Sequence, residues 1–152
     1  MTPTITRLDV ERAVPEIYKA MVRLDAAVTR SGLDPQLQDL LKLRVAQMNG
    51  CAYCMDMHSR DALTGGERNE RLHVLAGWRE ARAWFDEREQ AALAFIEAMT
   101  HLGAHGVSDD VYDEAAAQFS DEELGALIFL GMTINAWTRL GVTTKMSPAQ
   151  VP

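Results

Sequence analysis

Helix breakers fall at helix-length intervals along this chain, which limits it to a bundle of short helices. Pro15 suits the first turn of a helix, Ile17, Met21, Leu24 and Val28 recur after it at helical spacing, and Gly32 ends the run. Asp34-Pro35 then joins an N-cap to a first-turn proline. Leu37, Leu40, Leu41 and Val45 carry that second helix to the breaker Asn49-Gly50. A third helix is expected from Cys51, or just before it, to Thr64, where Gly65-Gly66 stops it. A short fourth follows over 67–76, a fifth over 86–102 with Ala92, Phe95, Ile96 and Met99 on one face, and a sixth capped by Ser108 to about Phe119. Ser120-Asp-Glu-Glu123 reads as a capping box opening a last, mostly apolar helix that Gly141 closes.

No segment alternates with the period of a strand, so the expectation is an all-α, single-domain bundle of about seven helices spanning 1–152. Hydrophobic residues make up 47% and charged residues 24%, the balance of a chain that buries a core; disorder is expected only in the first dozen residues and after Thr144. The net charge of -7, with no basic run to override it, argues against nucleic acid as a partner. The opening MTPTITRLDVER lacks the apolar centre of a secretory signal, and no stretch approaches the roughly 18 apolar residues of a membrane span. A cytoplasmic location is therefore expected. In that reducing compartment two close cysteines point to catalysis or metal binding rather than to a structural staple.

Both cysteines of the chain lie in NGCAYCMDMH, residues 49–58. On one helix, at about 100° per residue, Cys51, Cys54 and His58 fall within an arc of roughly 60°. A helix N-terminus favours thiolate over thiol, and an imidazole one turn away can accept the thiol proton. Such a pair can attack a peroxide or a disulfide and then close its own disulfide. Two alternatives stand beside this dithiol redox centre. Zinc would find three ligands here but usually takes four, and His73, His101 and His105 show no matching spacing. Inert buried cysteines are the other.

Further residues carry less. Met48, Met55 and Met57 read as core filler, and Tyr53 as either site lining or packing. Asp56 and Asp61 are expected to face solvent, and Arg44 to be a surface charge or an anchor for an anionic substrate. Trp78, Trp84 and Trp137 read as core or subunit contacts, and Asn135 with Arg139 as a buried or interfacial polar pair.

QDLLKLRVAQMNGCAYCMDMHSRDA resembles the signature of the AhpD-like alkylhydroperoxidases of the carboxymuconolactone decarboxylase superfamily. LAGWRE, FDEREQAALAF, GVSDDVYDEA and INAWTRLGV extend the likeness over about 13–142. The resemblance implies an AhpD-like helical fold assembled as trimers, or hexamers built from them, and a peroxidase acting on organic hydroperoxides. It implies Cys54 as the attacking thiol, Cys51 as the resolving thiol and His58 as the base of a proton relay. The carboxylate of that relay, a glutamate in the family, falls on Asp39, one methylene shorter, which predicts a longer or water-bridged contact with His58. Tyr53 stands where the best-known peroxidases of the family have histidine. A thiol or dithiol donor, of lipoyl type among others, is implied as the reductant, and neither cofactor nor metal is expected. The lactone decarboxylases of the superfamily lack the cysteine pair. A dithiol–disulfide adaptor, or a non-enzymatic oligomer with structural or zinc-binding cysteines, are the competing expectations.

Overall fold

A computed structural model describes residues 4, 5 and 7–148. Eight α-helices follow in order: α1 (Val10–Ala13), α2 (Pro15–Thr29), α3 (Pro35–Asn49), α4 (Ala52–Thr64), α5 (Asn69–Val74), α6 (Glu87–Thr100), α7 (Asp109–Gln118) and α8 (Asp121–Thr144). Single 3-10 turns at Leu75–Gly77 and Arg82–Trp84 link α5 to α6. The punctuation of the sequence marks most of these boundaries. Asp34 accepts from the Leu37 N–H with Pro35 in the first turn of α3, and Asp86 and Ser120 each form a full capping box with the glutamate three residues on.

Helix α3 is the centre of the bundle. It packs on α4, α6 and α8 and is covered on most sides, burying Leu37, Leu40, Leu41, Leu43, Val45 and Ala46 together with Gln38 and Lys42. Leu93 and Ile96 from α6 and Leu127, Leu130 and Ile134 from α8 complete the core around it. Where α6 and α8 cross, Gly131 admits the neighbouring helix: a Cβ there would lie 3.0 Å from both Ile96 Cδ1 and the Met99 sulfur. Beside this apolar core sits one polar knot. The Glu97 carboxylate accepts from Arg44 Nε (2.6 Å), Trp78 Nε1 (2.9 Å) and Arg79 Nη1. Arg44 is therefore neither a surface charge nor a substrate anchor, because its charge is matched inside the fold. Trp78 is core, at 4% exposure, whereas Trp84 is exposed.

Several expectations shift. The last helix does not end at Gly141 but runs on to Thr144, with Lys145 in the left-handed conformation as its stop. The fourth helix is shorter than 67–76 and tightens to a 3-10 turn at Leu75, and α4 begins at Ala52 with Cys51 as its cap. Of the first dozen residues and the tail, both expected to be disordered, Thr4–Ile5 pairs antiparallel with Met146–Ser147 and Val10–Ala13 is helical; 1–3, 6 and 149–152 lie outside the described residues. The two-residue ladder leaves the fold all-α. The stripe on α2 is apolar but not core: Val28 is buried, while Ile17 is 70% and Leu24 42% exposed. Among the described residues no helix is long and apolar enough to cross a membrane.

Candidate active site

The turn that joins α3 to α4 is built by three consecutive residues, Asn49, Gly50 and Cys51. Gly50 takes a left-handed φ of 66°, and the Gly50 and Cys51 N–H groups bond back to the carbonyls of Gln47 and Ala46. That is a Schellman ending, which needs a residue tolerant of positive φ at that position. Cys51 then caps the next helix, its sulfur 3.3 Å from the Cys54 N–H. Asn49 does more than break a helix. Its Nδ2 donates to Asn135 Oδ1 and Thr138 Oγ1, each at 2.9 Å, and so fastens the corner to α8. Asn135 in turn donates to Thr100 and accepts from Arg139, joining the expected pair to a network that spans three helices.

Cys51 and Cys54 are joined by a disulfide, with Cα atoms 5.2 Å apart, in the first turn of α4. Both are buried, at 1% and 4% exposure, but they face different neighbours. Behind Cys51 lies α8, so close that a Cβ at Gly141 would stand 3.0 Å from the Cys51 sulfur. Cys54 instead lines a cavity of about 260 Å³. Val22, Met57, Ile134, Leu140 and Met146 make that cavity mainly apolar, Tyr53 and the edge-to-face pair Tyr18–Trp137 (centroids 5.4 Å apart) add aromatic surface, and Asp25, Lys42 and His58 are its ionisable groups. Met57 is thus cavity wall, while Met55 packs on the core as expected of a filler. Tyr53 lines the site, and so does Trp137, which the sequence suggested as a core or subunit contact.

His58 is 7% exposed and its Nδ1 has no hydrogen-bond partner. Burial, reinforced by the neighbouring Lys42 ammonium, lowers its pKa to about 4, so the ring is neutral at neutral pH. Two carboxylates stand near it. Asp39 of α3 and Asp61 of α4 each bring an oxygen into a group of three atoms, with one from His58, that lie within 4.8 Å of one another. Asp61 Oδ2 is 3.8 Å from Nδ1, so Asp61 faces solvent as expected, its side chain 55% exposed, and also stands beside the ring. Asp39 makes no direct hydrogen bond to the imidazole. Burial pushes its carboxyl above the usual range, an effect that Lys42 opposes and Asp61 reinforces.

Lys42 escaped the sequence reading. It is 9% exposed, lines the cavity beside Cys54 and His58, and makes no hydrogen bond or ion pair among the described residues. No local signal marked it: LLKLRV holds two cations, Lys42 and Arg44, on a helix that also carries Gln38 and Asp39. A larger open groove, about 550 Å³, involves Gln36, Arg68, Arg71 and Trp84, and has neither cysteine nor histidine in its walls.

Comparison with known proteins bears on the family and the fold. The uncharacterized protein YdfG of Bacillus subtilis (strain 168) is 32% identical over 136 residues, 90% of this chain and 92% of that one. ATU0492 of Agrobacterium tumefaciens, a protein of unknown function with a suggested role as the antioxidant defence protein AhpD, superposes with a TM-score of 0.88. It is 34% identical, with 97% of this chain and 98% of that one covered. An uncharacterized peroxidase-related protein from Ralstonia eutropha JMP134, with an alkylhydroperoxidase AhpD core, shares the fold at a TM-score of 0.79 and 17% identity, over 93% of this chain and 75% of that one. Residues 15–98, which carry α2 to most of α6 and the whole cysteine corner, match the Carboxymuconolactone decarboxylase family. The chain belongs to the carboxymuconolactone decarboxylase family and has the AhpD-like form of its fold.

Proposed function

We propose that this protein is a thiol-dependent peroxidase that reduces organic hydroperoxides at Cys54. The observation that carries the reading is the asymmetry of the cysteine pair: Cys54 lines a mainly apolar cavity with a buried neutral imidazole, and Cys51 lies sealed behind it against α8. In the reduced protein the first turn of α4 favours the Cys54 thiolate. The thiolate sulfur attacks the terminal peroxide oxygen, the O–O bond breaks, and the alkoxide leaves with a proton relayed through His58. The sulfenic acid on Cys54 is then attacked by Cys51, closing the disulfide and releasing water. Overall, dithiol and ROOH become disulfide, ROH and H₂O, and an external thiol or dithiol, of lipoyl type in one version, restores the pair.

Asp39 is the carboxylate of the relay in this reading, acting on His58 from beyond direct hydrogen-bond distance. The suggested AhpD role of ATU0492, at 34% identity over nearly its whole length, supports the assignment. Burial of both sulfurs favours small reactants that enter through the cavity over a folded partner that must touch the sulfurs with its own surface. The reading includes a cytoplasmic location and a homo-oligomer, trimer or hexamer, for which exposed Ile17, Phe129 and Met132 offer apolar surface.

The test is alkylation mass spectrometry of reduced, metal-free protein before and after one equivalent of an organic hydroperoxide. Both thiols should vanish together into a Cys51–Cys54 disulfide. Cys54→Ser should consume no peroxide, and Cys51→Ser should stop after one round. Steady-state turnover by Cys54→Ser, or thiols that stay alkylatable, would overturn the assignment.

A further inference from the structure

His58 presents a problem that the relay does not solve. Its Nδ1 is shielded from water and has no partner, although buried polar atoms nearly always have one. The nearest acceptor, Asp61 Oδ2, is too distant for a hydrogen bond at 3.8 Å. Asp39 approaches from the other helix, and one atom from each residue falls within a sphere small enough for a single ion. We propose that His58 Nδ1 and the carboxylates of Asp39 and Asp61 form a binding site for a divalent transition-metal ion, of the class that accepts one imidazole and two carboxylates, such as Zn²⁺, Co²⁺ or Mn²⁺.

Ligand chemistry and placement support this. Metal–nitrogen and metal–oxygen bonds of roughly 2.0–2.2 Å put neighbouring ligand atoms about 3–3.5 Å apart. Closing from the present spacing takes side-chain movements of about 1 Å at Asp39 and Asp61, and Asp61 is half-exposed. His58 and Asp61 are one turn apart on α4, and the Schellman corner holds Asp39 of α3 beside them. Two carboxylates outnumber the one cation nearby, Lys42, so the pocket carries a net negative charge before the ion arrives. The open side of Asp61 leaves room for water to complete the coordination. An ion on Nδ1 would also hold the ring proton on Nε2, turning His58 into a donor only. If His58 is the base of the peroxidase, occupancy withdraws that base.

The site can be read without any enzymatic activity, and in the disulfide form, where no thiolate competes for metal. The experiment is titration of oxidised, chelator-treated protein with Co²⁺, followed by calorimetry and by the visible d–d spectrum. The expected result is one Co²⁺ per chain, with no thiolate charge-transfer band, and an affinity that falls by at least about tenfold in both Asp61→Asn and Asp39→Asn. That is the lower end of what even the outer partners of a metal ligand cost. Asp61 is exposed enough that its variant tests binding rather than folding, and circular dichroism checks Asp39→Asn. No saturable binding would overturn the proposal, as would wild-type affinity in either variant, since binding at His73, His101 or His105 survives both changes. A failed peroxidase assay would leave this result untouched.

Discussion

Gly141 of α8 stands directly behind Cys51: a Cβ at that position would lie 3.0 Å from the Cys51 sulfur and 3.6 Å from that of Cys54. Neither sulfur can swing aside while bonded to the other in a buried turn. Gly141→Ala should therefore overpack the site and cost about 1–3 kcal/mol, a fall in Tm of roughly 2–4 °C for each kcal/mol. Gly125, earlier on the same helix, meets nothing within 4 Å. There the same change removes only the entropic cost of a helical glycine, and Gly125→Ala should stabilise by about 0.5–1 kcal/mol. Thermal unfolding of the two variants in the disulfide form checks the contrast. Equal shifts would mean that α8 does not press on the cysteines.

The buried imidazole makes an electrostatic prediction of its own. In the unfolded chain His58 titrates near its ordinary 6.5, and in the fold it has fallen to about 4. Between those values the unfolded chain takes up a proton that the folded ring refuses, so stability falls as the pH drops through that window. The full effect is on the order of 3 kcal/mol. His58→Gln should remove this contribution, and urea denaturation of both proteins at about pH 7.5 and 4.5 measures it. The loss on acidification should be smaller in the variant by about the amount calculated. NMR of the disulfide form should show His58 still neutral at pH 5.

Glu97 gathers hydrogen bonds from Arg44, Trp78 and Arg79, yet it has no part in the proposed chemistry. Burial raises its carboxyl pKa, but hydrogen bonds from Arg79, Trp78 and Arg44 more than compensate and leave it below the usual range. Its stabilisation is therefore complete at neutral pH and is lost only as the pH falls through that lowered value. Glu97→Ala strands the Arg44 guanidinium, 15% exposed, and the Trp78 N–H. Breaking a buried pair from one side costs about 3–5 kcal/mol. Trp78→Phe, which loses one charge-assisted bond, should cost about 1.5–3 kcal/mol before any packing loss. Chemical denaturation gives both numbers, and a cost for Glu97→Ala below that of Trp78→Phe would contradict the network.

What the sequence made legible follows from the range of each signal. Caps and stops act over three or four residues, so Asp34, Asp86 and Ser120 mark their helices correctly. The cysteine corner was legible for the same reason, since Gly50, Cys51 and Cys54 act within one turn. Gly141 was misread because a glycine that ends a helix and one that admits a neighbouring sulfur look alike until the neighbour is known. Periodicity identifies an apolar face but not what covers it, so the stripe of Ile17 and Leu24 could be read as a helix face while its exposure could not. Lys42 and Asp61 were missed because their importance comes from packing α3 against α4, a contact that no local pattern encodes.

That packing also leads to the last prediction. Asp39 reaches towards His58 with a carboxylate one methylene shorter than the family's glutamate, and Nδ1 is left without a partner. A Cβ added at Gly65 would stand 3.8 Å from Asp39 Oδ2, so the glycine keeps that side of the carboxylate clear of a side chain. Asp39→Glu should close the gap and supply the missing acceptor for the Nδ1 proton. A hydrogen-bonded carboxylate favours the imidazolium, so the His58 pKa should rise from about 4. A stronger base should then form the Cys54 thiolate and protonate the leaving alkoxide more readily. We expect the rate of peroxide-driven disulfide formation to rise several-fold in Asp39→Glu and to fall in Asp39→Asn. Stopped-flow tryptophan fluorescence can follow this directly, because Trp137 lines the cavity with Cys54. A raised pKa without a faster reaction would show that His58 is oriented by this carboxylate but does not carry the proton.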